Sequence, residues 1–216
     1  MFKTLYCFNF DKVFAMTYRH ITIALALGAC SLFMPLTTQA QALDCSADSL
    51  KTVQTKAESG DKKAQYLLGS QMLSGKCAGD GKKEPVLGMA LITKSATQNY
   101  APAMYLVGVS HLARGIDQPG LAMLFGAAKQ GFREAEVMLG IMFATDKFSK
   151  KNNLSAYGWL SLARQHAIVE KQQKVLDDKL SEVKNRMSAA ELAKADDTKA
   201  KFLKEMGDIP IFSDLP

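Results

Sequence analysis

Thiols, imidazoles and paired carboxylates are the side chains through which this chain would do chemistry, and the first two are scarce. The 216 residues include 4 Cys and 3 His. They form no His-Glu-x-x-His metal helix and no Cys-x-x-Cys pair, and neither a Gly-x-Ser-x-Gly elbow nor a phosphate loop occurs. Nor does any pattern of acidic residues suggest paired catalytic carboxylates. No metal and no cofactor are therefore expected. His111 reads as a packed structural residue. His166 falls at the end of a helix, where a cation suits the helix dipole. The lysines of Gly79-Asp80-Gly81-Lys82-Lys83 read as a solvated inter-helix loop. Lys171, Lys174, Asp177 and Asp178 read as a polar helix face.

The composition is 48% hydrophobic and 22% charged. That excludes a collagen-like or a fully disordered chain. The net charge is +6, with no basic block interleaved with aromatics, so nucleic acid is not an expected partner.

The N-terminal stretch reads as an export signal. Ile21 to Leu36 is a mostly apolar run without charge, preceded by Arg19 and His20 and followed by Thr37-Thr38-Gln39-Ala40-Gln41-Ala42. Small residues after an apolar segment mark a cleavage site, here after Ala42. Asp11 lengthens the charged lead, so translation is read as starting at either Met1 or Met16. The run is shorter than the roughly 20 residues that span a bilayer, and Pro35 interrupts it. Leu27-Gly28-Ala29-Cys30 offers a second reading, a lipoprotein box with Cys30 lipidated and the chain held at a membrane. Against it, Ser31 to Leu36 continues apolar where a lipoprotein turns polar. The expected compartment is the periplasm, with secretion or an outer-membrane lipoprotein as alternatives.

Cleavage would leave Cys45 and Cys77. An even pair in an exported chain favours a disulfide. Ser46–Ser59 and Asp61–Ser74 read as two helices broken at Gly60. Antiparallel packing brings the start of the first beside the end of the second, where the two cysteines stand. Two unpaired thiols in a reducing cytosol are the alternative, which the leader opposes.

Repeats dominate the rest. Ala, three residues, an aliphatic residue, Gly and then a larger residue recur as Ala64…Leu68-Gly69…Met72, Ala103…Val107-Gly108…His111 and Ala135…Leu139-Gly140…Phe143. Ser95-Ala96-Thr97-Gln98-Asn99, Ala127-Ala128-Lys129-Gln130-Gly131 and Leu162-Ala163-Arg164-Gln165-His166 alternate with them, echoed earlier at Lys56 to Gly60. The first pattern falls on one helix face. A mid-helix glycine costs about 1 kcal/mol relative to alanine, a loss that close approach of a neighbouring helix would offset. The alanines of the second pattern are the expected counter-face. Each unit is then a helical hairpin that stacks on the next.

These residues resemble the Sel-1-like repeat family, relatives of the tetratricopeptide repeats. Residues 64–75 match the first half of that family's unit, Ala127 to Gly131 match the second half, and Ala156 to Ala163 resemble its closing helix. The likeness covers about residues 56–167. Met72 and His111 stand in the usual Tyr slot, and Asp146 stands where a Gly is usual. The resemblance implies an all-α, right-handed α-α superhelix and an adaptor role toward another envelope protein or peptide segment. Cysteine-rich members that bind penicillin and slowly hydrolyse β-lactams offer an enzymatic alternative. They carry a disulfide in every repeat, whereas only Cys45 and Cys77 remain here.

The expected organisation is a signal at 1–42, a solenoid at 43–167 and capping helices with a tail at 168–216. Leu176, Leu180, Val183 and Met187 make an amphipathic helix. Ser188-Ala189-Ala190-Glu191 is a capping box that opens another to about Met206. Ile209 to Phe212 is an apolar tail that either docks or frays. In hairpin arrays of this kind the first helix of each unit lines the concave side. Its positions not assigned to packing are Tyr66, Ser70 and Leu73, then Tyr105, Val109 and Leu112, then Val137 and Ile141. They are the candidate partner groove, with Tyr66 and Tyr105 as equivalent aromatic anchors. The alternative is that these side chains are inter-repeat core or lie under the C-terminal helices.

Overall fold

The computed structural model describes residues 45–77, 81–145 and 152–206, all within one unit, Gln41–Pro216. The signal segment with Met16 and Cys30, the position Asp146 and the tail at 209–212 lie outside the described residues.

The described chain is helical, with no strand. Its elements are α1 (Ala47–Glu58), α2 (Lys62–Ser74), α3 (Pro85–Thr97), α4 (Ala101–Ala113), α5 (Asp117–Ala128), α6 (Arg133–Phe143), α7 (Asn153–Gln165), α8 (Glu170–Asn185) and α9 (Ala189–Met206). Local sequence sets their ends. Asp61 accepts the Ala64 N–H at 2.7 Å to start α2, and Asn152 does the same for Ser155 at 2.9 Å to start α7. The capping box forms as expected: Ser188 N–H donates to Glu191 at 2.8 Å, and the Glu191 N–H donates to the Ser188 hydroxyl at 3.2 Å. Between hairpins the chain turns through a left-handed residue, Gly60 at φ 96°, Asn99 at φ 58° and Gly131 at φ 73°. There the N–H groups of Asp61, Tyr100 and Phe132 reach back to the carbonyls of Lys56, Ser95 and Ala127.

Helices pair as α2/α3, α4/α5 and α6/α7, and each pair packs on the next through α3 on α4 and α5 on α6. Helix α1 leans on α2, and both α8 and α9 pack on α7. Chain neighbours are space neighbours throughout, the arrangement of a helical-repeat superhelix.

Glycines set the spacing inside the hairpins. A Cβ on Gly69 would lie 2.6 Å from the Gly88 carbonyl oxygen, and one on Gly88 would lie 2.7 Å from that of Gly69. Gly108 and Gly120 repeat this at 2.9 and 3.0 Å. In the third hairpin Gly140 faces Leu160 at 2.7 Å. The counter-face is therefore not the alanine pattern expected. It consists of Gly88 and Gly120 near the start of the second helix, with Ile92, Leu124 and Leu160 one turn on. Ala96, Ala127, Ala128 and Ala163 are buried, but none is among the nearest neighbours of Gly69, Gly108 or Gly140.

Cys45, just ahead of α1, is disulfide-bonded to Cys77, just beyond α2, with Cα atoms 5.1 Å apart. Cys77 sits at φ 69°, a left-handed conformation unusual for a residue with a Cβ.

Two outcomes are expected on thermal and urea denaturation. Gly69→Ala and Gly108→Leu should destabilise, the first by about 1–3 kcal/mol, because a rigid carbonyl oxygen blocks the new atoms. Gly126→Ala should be close to neutral, because its Cβ would meet only the mobile end of Met104. Equal melting of Gly69→Ala and Gly126→Ala would refute backbone contact as the constraint. Replacing Cys45 and Cys77 together by Ser should lower stability by about 3–4 kcal/mol for a loop of this length, read as a shift of the urea midpoint under non-reducing conditions.

Candidate functional site

Helices α2, α4 and α6 present equivalent positions at Tyr66, Tyr105 and Val137, and one turn on at Ser70, Val109 and Ile141. The structure divides the candidate groove residues into two groups. Tyr66, Ser70, Tyr105, Val109 and Ile141 are partly exposed. Leu73 and Val137 are buried, and Leu112 lies over Gly120, its Cγ 2.7 Å from the Cβ that glycine lacks. Leu73 approaches Gly88 in the same way at 3.0 Å. Leu73 and Leu112 therefore belong to hairpin packing rather than to a groove. Each follows the contact glycine of its own helix by one turn, so it shares that glycine's face.

The two tyrosines contact the next hairpin. Tyr66 meets Tyr100 edge-on, ring centroids 5.4 Å apart. Tyr105 meets Phe132 at 5.4 Å. Tyr100 and Phe132 are the residues that precede α4 and α6, so one aromatic contact is used twice in register, and both readings of these tyrosines hold in part. Burial, followed by the charges of Glu134 and Tyr66, pushes the Tyr105 phenol far above its ordinary range. It is a neutral hydroxyl at every physiological pH. The Ser70 hydroxyl oxygen is buried without a hydrogen-bond partner.

A set of polar contacts at the open end of each hairpin was not legible in the sequence. Gln98 donates to Gln65 at 2.8 Å, and Gln130 reaches the Met104 sulfur at 3.3 Å. In the third hairpin the equivalent of Gln65 and Met104 is Glu136. Its partner is His166, in the sequence slot that Asn99 and Gly131 fill elsewhere. His166 keeps a right-handed φ of −81°, and its Nδ1 lies 2.9 and 3.0 Å from the two Glu136 oxygens. Glu136 is fully buried and His166 nearly so. His166 is therefore a buried hydrogen-bonding residue and not an exposed cation on a dipole. Its Nε2 has no partner, so an N–H there would face no acceptor, and the geometry favours the proton on Nδ1. Burial raises the Glu136 carboxyl above its ordinary value, while the hydrogen bond and charge of His166 pull it partly back.

His111 is half-buried rather than core, with its Nδ1 3.1 Å from an Arg114 nitrogen. Asp177 is not merely solvated, because it pairs with Arg164 Nε at 2.7 Å. No group of three or more His, Cys, Asp or Glu side chains suited to a metal ion occurs among the described residues.

No family model matches the chain, and no curated protein matches it. Two solved structures are similar. A Sel1 repeat protein from Oxalobacter formigenes shares 25% identity at a TM-score of 0.48, over 60% of this chain and 97% of its own. A protective antigen of uropathogenic Escherichia coli strains, displaying an SLR fold, shares 17% identity at a TM-score of 0.45, over 73% of this chain. Both neighbours are Sel1-type repeat structures. This chain spans 41% of the antigen's length.

Glu136 carries a testable pH dependence. A carboxyl raised above its unfolded value favours the fold at low pH, and that contribution is lost as pH rises through the folded value. Glu136→Gln keeps an acceptor for His166 and removes the buried charge. Its melting temperature should match the parent below about pH 4 and exceed it increasingly toward pH 8. A constant difference across that range would exclude the buried carboxyl as the cause.

Proposed function

We propose that this chain is a non-enzymatic protein-interaction module, exported to the periplasm, whose stacked hairpins hold a segment of another envelope protein. The observation that carries the reading is the repeated, partly exposed stripe of Tyr66, Ser70, Tyr105, Val109 and Ile141 along α2, α4 and α6. It combines aromatic rings, a neutral phenol and aliphatic side chains at regular spacing, a chemistry suited to an extended or helical peptide. Helices α8 and α9 cover α7 and end the stack, as an array of repeats needs for solubility. The Cys45–Cys77 disulfide suits an oxidising compartment.

Photo-crosslinkers placed at Val109 and Ile141 should give one discrete adduct in cell envelopes, while one at the exposed Val86 should not. Replacing Tyr66 and Tyr105 together by Ala should reduce that adduct at least about tenfold, the loss of one anchor residue's contribution. Its persistence at full yield in a folded double variant would remove the stripe from the interaction.

A further inference from the structure

A second site is built at the other end of the stack. Helices α7, α8 and α9 enclose a groove of about 380 Å³. Its floor is one face of α7, where Tyr157, Ser161 and Arg164 follow at helical spacing, with neighbours about 5–6 Å apart. Asp177 and Leu180 of α8 form one wall, and Lys199 and Leu203 of α9 form the other.

The polar groups are unbalanced in a way that specifies a ligand. Ser161 is 4% exposed, and its Oγ is buried with no hydrogen-bond partner. A hydroxyl withdrawn from water and left unpaired costs about 1–3 kcal/mol, which an incoming oxygen would recover. Arg164 spends only Nε on Asp177, leaving the two terminal nitrogens of its fork without a partner among the described residues. No anionic partner faces the Lys199 ammonium among those residues. Two cations against one carboxylate, with a buried donor between the helices, select an anionic oxygen ligand. The planar guanidinium matches a carboxylate. Leu180 and Leu203 flank the groove and suit an aliphatic body behind that head.

From this geometry we infer that the α7–α8–α9 groove binds a carboxylate on a short aliphatic stem, supplied by the C-terminal residue of a peptide. This site is separate from the stripe on α2, α4 and α6 and does not depend on it.

The test is a heteronuclear NMR titration of the full chain with three probes: N-acetyl-Ala-Ala-Leu with a free carboxylate, the same peptide as its C-terminal amide, and 4-methylpentanoate. The free-acid peptide should shift the amides of Ser161, Arg164 and Lys199 at millimolar concentration, and the amidated peptide should not. Equal binding of 4-methylpentanoate would keep the carboxylate site and reassign its source to a free acid, overturning the peptide assignment. Ser161→Ala removes an unpaired group, so it should melt no lower than the parent while weakening the free-acid peptide about tenfold. Lys199→Gln, at an exposed position, should weaken it by a smaller factor. Equal shifts from acid and amide, or unchanged affinity in both variants, would overturn the proposal.

Discussion

Two helices cannot approach until backbone meets backbone unless neither carries a side chain at the crossing. Gly69 against Gly88 and Gly108 against Gly120 meet that condition, each glycine lying within 3.0 Å or less of the partner's carbonyl as seen from its missing Cβ. The close crossing is what allows Leu73 and Leu112 to drop over the opposing glycine and Ile92 and Leu124 to fill the next turn. The buried core that runs from Leu73 to Leu162 follows from this spacing, as does the register in which one hairpin offers Tyr66 or Tyr105 to the next. The third hairpin departs from the scheme. Ala156 takes the place of Gly88 and Gly120, and Leu160 fills the space at Gly140.

The same hairpin departs in its polar contact. Where two units use amide and thioether groups, Glu136 and His166 bring ionisable ones into a site closed to water. Burial of a carboxyl is unfavourable unless a donor is held against it. The imidazole reaches Glu136 because its backbone does not take the left-handed turn that Asn99 and Gly131 adopt.

How far the sequence reveals this molecule depends on the range of the signal. Helix ends were legible because caps act within four residues: Asp61, the Ser188–Glu191 box and Gly60 all sit where their types require. The stacking of hairpins was legible because a glycine recurring on an apolar face weakens its helix unless a neighbouring helix presses against it. The facing glycines were not, since Gly88 and Gly120 fall outside the motif and only the crossing of two helices identifies them. Leu73, Leu112 and Val137 were misread as surface for the same reason, because apolar residues on both faces of a helix do not announce which face a neighbour takes. Glu136 with His166 was missed because the partners are thirty residues apart and neither belongs to a chemical motif. The groove beside Ser161 was likewise invisible, being made by three helices that meet only in the fold.

An array held by nearest-neighbour contacts loosens from its ends, and the two ends here are fastened differently. Ahead of α1 a covalent bond ties the first helix to the turn after the second. At the far end α9 is held by Phe202, whose ring lies 5.3 Å from that of Trp159 and over the face of Gly158. One terminus is sewn and the other is merely seated. The molecule accordingly has a direction of disassembly: its last helix lifts away first, uncovering Trp159, while the first hairpin keeps its shape until everything downstream has come apart.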